Sequence, residues 1–151
     1  MNKIKFWWKE WENMEKDKSC IAIYDVRGIQ NYIFRTNAVK EIVGASKIVD
    51  KLIINEFEFA TNKIKAKQNI ADSEIILNWE EQKDYLFDNN GNIKLEVLYY
   101  GGGNLVVLFR NEELCKEISI EMSKSIIKNA YGLSLVYAYT EKTNDYQEDW
   151  K

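Results

Sequence analysis

Tyr99-Tyr100-Gly101-Gly102-Gly103-Asn104 lies between two runs that read as β-strands, with Ile93, Leu95, Val97 and Leu98 before it and Leu105-Val106-Val107-Leu108-Phe109 after it. Apolar runs separated by a few Gly and Asn residues predict a hairpin, because these residues enter the left-handed backbone region of a tight turn at little cost. Three consecutive glycines exceed what a turn requires. They also strip the backbone of side chains, so that a ligand can approach it closely. Upstream, Tyr24-Asp25-Val26-Arg27-Gly28-Ile29-Gln30 sets a carboxylate at the end of another apolar run and a glycine at a helix start. A strand-end carboxylate set against a glycine hairpin is the layout of a nucleotide site.

Working outward, Cys20 to Val26 reads as a buried strand and Gly28 to Phe34 as a short helix. From Ala38 to about Lys65, Val39, Ile42, Val43, Ile48, Val49, Leu52, Ile53 and Phe57 recur at helical spacing, which predicts a long amphipathic helix. Within it, Gly44-Ala45-Ser46 supplies small residues for a close-packed neighbour. The Lys-rich stretch Asn62 to Asn69 is expected to fray into a loop, Ile75-Ile76-Leu77 to add a short strand, and Asp88-Asn89-Asn90-Gly91 to turn. After the hairpin, Asn111 is an N-cap followed by Glu112 and Glu113, acids that suit a first helical turn. Leu114, Ile118, Met122, Ile126 and Ile127 form that helix's apolar stripe, Gly132 stops it, and Leu133 to Tyr139 is the last strand. The order β-α-β-β-α-β predicts an α+β, ferredoxin-like fold over residues 19–151. Residues 1–18 form a separate N-terminal helix in which Trp7, Trp11 and Met14 share a face. That face either packs on its own domain or docks a partner, since Trp is a favoured interface anchor. The tail from Thr140 to Lys151 is polar and expected to be exposed.

The 151 residues suffice for one domain with a core. A net charge of −3 argues against a general nucleic-acid binder. No histidine is present, which removes His-based triads, histidine acid–base catalysis and zinc–histidine sites together. Cys20 and Cys115 show no metal spacing and read as buried, reduced thiols of a cytoplasmic protein. No segment is long and apolar enough to span a membrane.

Asp25, at the end of its strand, is suited to Mg²⁺, a hard ion that takes carboxylate and phosphate oxygens. N-capping the helix near Gly28 serves the same position equally well. Gly28 and its neighbouring N–H groups are candidates for a phosphate cradle. Arg27, Arg35, Lys40 and Lys47 could meet phosphates, or simply form a solvated face.

The string Asp25-Val-Arg-Gly-Ile-Gln-Asn-Tyr-Ile-Phe34, then Thr36-Asn37, then Lys40-Glu41-Ile42-Val43-Gly44-Ala45-Ser46, resembles the palm domain of the large, polymerase- and cyclase-like subunit of type III CRISPR effector complexes. The similarity runs from about Ser19 to Tyr139. GGDEF-type diguanylate cyclases and class III nucleotide cyclases are more distant relatives by fold. The resemblance implies a palm that binds ATP with Mg²⁺ and, when active, makes cyclic oligoadenylates for antiviral defence. It implies that Asp25 stands at the metal-binding aspartate of the first strand, Gly101 and Gly102 at the paired glycines, and Ser46 at a helix serine near the nucleotide. Gly103 and Asn104 occupy the positions of the two metal-binding aspartates, in a Gly-Gly-Asp-Asp motif that here reads Gly-Gly-Gly-Asn. Their replacement removes the charge that draws two divalent ions.

The resulting expectation is a degenerate, CRISPR-associated palm that binds an ATP-like nucleotide at Gly28, Ser46, Gly101, Gly102, Gly103 and Asn104, with a weakened Mg²⁺ site at Asp25. Its expected partners are an identical or second palm and other effector subunits. One alternative is an active Mg²⁺-dependent nucleotidyltransferase or cyclase that recruits a further carboxylate, with Asp50, Asp72 and Glu96 as the available candidates. Another is a ligand-free interaction domain.

Overall fold

The computed structural model describes residues 18–78, 80 and 85–143. The expected N-terminal helix over residues 1–18, apart from Lys18 itself, and most of the polar tail lie outside these. Strand β1 (Cys20–Arg27) leads through helix α1 (Ile29–Ile33) to the long helix α2 (Val39–Gln68). A 3₁₀ turn (Asp72–Glu74) and a two-residue strand β2 (Ile75–Ile76) follow, then β3 (Leu95–Gly101), β4 (Asn104–Phe109), helix α3 (Glu112–Asn129) and β5 (Ser134–Glu141). The sheet order is β2-β3-β4-β1-β5. β1 runs antiparallel to both β4 and β5, β3 is antiparallel to β4, and β2 adds in parallel beside β3. Leaving aside the small β2, this is the ferredoxin-like βαββαβ arrangement that the order of elements predicts.

The alternation of each strand decides which face carries the core. Cys20, Ala22, Tyr24 and Val26 of β1 join Leu105, Val107 and Phe109 of β4 against the apolar stripes of α2 and α3. At the centre, Tyr24 is fully buried and stacks on Tyr137, with ring centroids 5.7 Å apart. Its hydroxyl donates to Ser119 Oγ at 2.8 Å, and that hydroxyl in turn donates to the Cys115 carbonyl at 2.7 Å. Burial pushes the Tyr24 phenol well above its ordinary pKa. Cys20 and Cys115 are free and buried, as expected of core thiols. Asn111 caps α3, its Oδ1 accepting from the Leu114 amide at 2.7 Å.

Several expectations are corrected. The Lys-rich stretch does not fray: α2 continues to Gln68 and ends on Asn69 in the left-handed region. Thr61 and Ile64 are buried there, and Lys63 and Lys67 pair with Glu121 and Glu117 of α3, so packing outweighs local propensity. At the other end of α2, Val39, Val43 and Ile48 are exposed. Gly44 packs closely against nothing: no atom lies within 4 Å of where its Cβ would stand. Ile127, placed on the α3 stripe by its spacing, is exposed.

The second face of the sheet is half covered. Phe87 and Ile93, from the connection between β2 and β3, pack on Ile21, Val106 and Leu108. Two groups hold this strap down. Glu96, only 1 % exposed, accepts the amides of Leu86 and Phe87 at 3.2 and 2.7 Å. Arg110 lies 3.7 Å over the Phe87 ring and donates to the carbonyls of Ile93, Phe87 and Asn90. Glu96 is therefore a structural carboxylate, and Asp72, paired with Lys65 beyond the far end of α2, is likewise remote from the hairpin.

Two substitutions test this account by urea unfolding. Glu96→Ala strands the buried Phe87 amide and the part-buried Leu86 amide and is expected to cost about 2–4 kcal/mol. Gly44→Ala, on an open helix face, is expected to stabilise by about 0.5–1 kcal/mol.

Candidate functional site

Gly101 pairs with Asn104, so the β3–β4 hairpin turns on Gly102 and Gly103 alone. Both have positive φ, 59° and 86°, the backbone that a two-residue type I′ turn demands. At Gly101, which has no positive φ, a Cβ would lie 2.7 Å from the hydroxyl at the end of the exposed Tyr99 side chain, so the third glycine is not demanded by the turn. Gly103 is buried against α1, and its missing Cβ would lie 2.6 Å from Ile29 Cδ1. Its carbonyl accepts the Val26 amide at 2.9 Å, which ties the turn to the end of β1.

Gly28 ends β1 with φ 88°, and a Cβ there would meet the Gly132 carbonyl oxygen at 2.6 Å. This close approach of two loops gives Gly28 a packing role. α1, which it opens, has five residues.

Above the turn lies a pocket of about 300 Å³. α1 contributes Ile29 and Ile33, α2 contributes Ser46, Lys47, Val49 and Asp50, and the hairpin contributes Gly102 and Gly103. Ser46, Gly102 and Gly103, far apart in the sequence and singled out from it, thus share one cavity. The lining combines the Lys47 ammonium, the Ser46 hydroxyl, the Asp50 carboxylate and bare glycine backbone with the aliphatic side chains of Ile29, Ile33 and Val49, a mixture that suits a ligand with both polar and apolar parts. The volume is at the small end of ligand pockets. Sequence reasoning missed the aliphatic wall. Ile29 and Ile33 stand four apart on a helix too short to bury an independent core, and that spacing was the available signal.

Asp25 and Asn104 fall elsewhere. They are register partners across β1 and β4. Because Tyr24, Val26 and Leu105 face the helices, both point to the opposite face of the sheet. Asp25 is engaged by Arg27, Oδ2 to Nε at 2.7 Å. One carboxylate already held by a guanidinium, beside a neutral amide, does not make the oxygen cage that a divalent ion needs. No cluster of three potential metal-ligating acids, cysteines or histidines occurs among the described residues. Of the other basic candidates, Arg35 lies over the Tyr131 ring and Lys40 is exposed on α2. Neither lines the pocket.

The chain matches no protein-family model and no curated protein. Its fold recurs in solved structures of a much larger protein. The Csm1–Csm4 cassette in complex with cA4 aligns at TM-score 0.52 and 14% identity, over 85% of this chain and 15% of that chain. The Csm1–Csm4 subcomplex in the type III-A CRISPR-Csm interference complex aligns at 0.52 and 14%, over 84% and 15%. Csm1 in T. onnurineus aligns at 0.50 and 14%, over 84% and 16%. The chain therefore spans about one sixth of the length of the solved chains it matches. At this identity the likeness establishes the fold: a ferredoxin-like palm, built as a segment of Csm1 is built.

Gly103 takes a positive φ of 86°, so any side chain there strains the backbone whatever the space around it. Gly103→Asp is expected to cost about 1–3 kcal/mol from the positive φ, read as a lowered urea midpoint. Adding Ile29→Ala is expected to recover only the contact part, because the backbone strain persists.

Proposed function

We propose that this chain is a CRISPR-associated palm of the type III large-subunit kind that binds an ATP-like nucleotide and does not turn it over. The observation that carries this reading is the pocket joining Ser46 and Lys47 of α2 to the bare backbone of Gly102 and Gly103. The phosphates lie toward Lys47 and the glycine turn, and the base lies against Ile29, Ile33 and Val49. The donor set at Asp25 and Asn104 disfavours catalysis, because it lacks the paired carboxylates that would activate a hydroxyl on two ions. Any Mg²⁺ enters as part of the nucleotide complex and is not held by a cage of this chain. The domain acts beside a second palm or other effector subunits in an antiviral assembly, a role supported by the likeness to Csm1 of type III complexes.

A second reading, a palm that only docks, is favoured by one observation: Val39, 73 % exposed, with Val43 and Ile48, leaves the start of α2 apolar and uncovered.

Calorimetric titration of ATP, with and without Mg²⁺, followed by chromatography of the nucleotide after overnight incubation, separates these readings. The expected result is saturable binding with either buffer and intact ATP. Ser46→Trp, which fills the pocket, is expected to abolish the heat, whereas Asp25→Ala leaves it unchanged. Absence of binding in the wild type would leave the docking reading. Cyclic or oligomeric products that disappear in Asp25→Ala would make the chain an enzyme.

A further inference from the structure

Among the described residues, the outer edge of β5 is an unpaired template. Two hydrogen bonds determine which way its backbone points. The Val26 amide bonds the Gly103 carbonyl at 2.9 Å, so Val26 and its alternates in β1 face β4, while Ile21, Ile23, Asp25 and Arg27 face β5. These four pair in register with Thr140, Ala138, Val136 and Ser134. The Lys142 amide bonds the Ser19 carbonyl at 2.8 Å in the same phase. The N–H and C=O groups of Leu135, Tyr137 and Tyr139 consequently point away from the sheet. Among the described residues no strand pairs with that side of β5.

Soluble proteins blunt such edges with proline, lysine, bulges or short length. β5 uses none of these. It runs for eight residues, pairs with β1 without a register shift, and carries no charge from Ser134 to Thr140. Its side chains are prepared for a neighbour on both faces. Leu135, Tyr137 and Tyr139 are half-buried against the helix-side core. Val136, 49 % exposed, continues the uncovered apolar surface of Ile23, 37 % exposed, on the other face.

We propose that a second copy of this chain adds its own β5 here, antiparallel about a two-fold axis, to make one continuous sheet across two palms. Charge selects this occupant. A second β5 sets an uncharged strand against an uncharged strand and keeps both side-chain alternations in step. Residues 144–151, which follow β5 in the sequence, carry Asp145, Glu148 and Asp149, acids for which the uncharged run Ser134–Thr140 supplies no side-chain partner. The interface lies away from the nucleotide pocket, which β5 does not line, and so stands independently of the proposed binding.

The test is the mass of the full chain in solution across a concentration series. In the three registers centred on the middle of β5 (Val136 opposite Val136, Val136 opposite Ala138, or Ala138 opposite Ala138), at least one of the two residues faces itself or the other. V136K/A138K therefore sets lysine against lysine in each of these registers, and V136E/A138E sets glutamate against glutamate. Both pairs sit on the exposed face, and circular dichroism checks that the variants fold. The expected result is a dimeric wild type, two monomeric variants, and a dimer restored on mixing the two. Wild-type monomer at every concentration overturns the proposal, as does a dimer that survives V136K/A138K. Conversion of a monomer into a dimer on deleting residues 144–151 also overturns it, since the tail would then be the occupant. The monomeric variants are expected to bind ATP as the wild type does, so failure of the interface and failure of the nucleotide reading are separable.

Discussion

β1 is the strand on which the molecule depends, because it is hydrogen-bonded along both edges and packed on its helix face at once. β4 takes one phase of its backbone and β5 the other. Tyr24 at its centre joins the sheet to α3 through Ser119 and to β5 through the Tyr137 ring. A residue in this position has no room to drift. Its fixed register brings the end of β1 beside the glycine turn, and the tie between Val26 and Gly103 closes that corner. The pocket exists because α1 leaves this corner and α2 returns over it.

The two halves of the expected site answer to different faces of the same sheet. Alternation sends Val26 and the Gly103 position toward the helices, and sends Asp25 and Asn104 away from them. Side chains at positions 103 and 104 would lie on opposite faces of the sheet, the first with its Cβ 2.6 Å from Ile29 Cδ1. The pocket beside the glycine turn thus opens on the helix side, while Asp25 on the other face is engaged by Arg27.

Much of this was readable in the sequence because the governing signals are local. The hairpin follows from Gly102 and Gly103, the cap of α3 from Asn111, and the order of strands and helices from changes of apolar period. Three features were not readable, each for a physical reason. The extension of α2 through its lysines depends on acids of α3 almost fifty residues away or more. The role of Glu96 depends on the amides of a loop that only the fold brings over it. The aliphatic wall of the pocket depends on where α1 lies relative to the turn. Gly44 was misread because a small residue signals either close packing or empty space, and the sequence alone does not separate the two.

The most direct test of the proposed nucleotide site is a ¹H–¹⁵N correlation titration of the labelled chain with ATP. The account predicts saturable shifts at the amides of Ser46, Lys47, Gly102 and Gly103, with Asp25 and Arg27 little moved. Saturable shifts centred on Asp25 and Asn104, or no shift at the hairpin while other residues move, would contradict it.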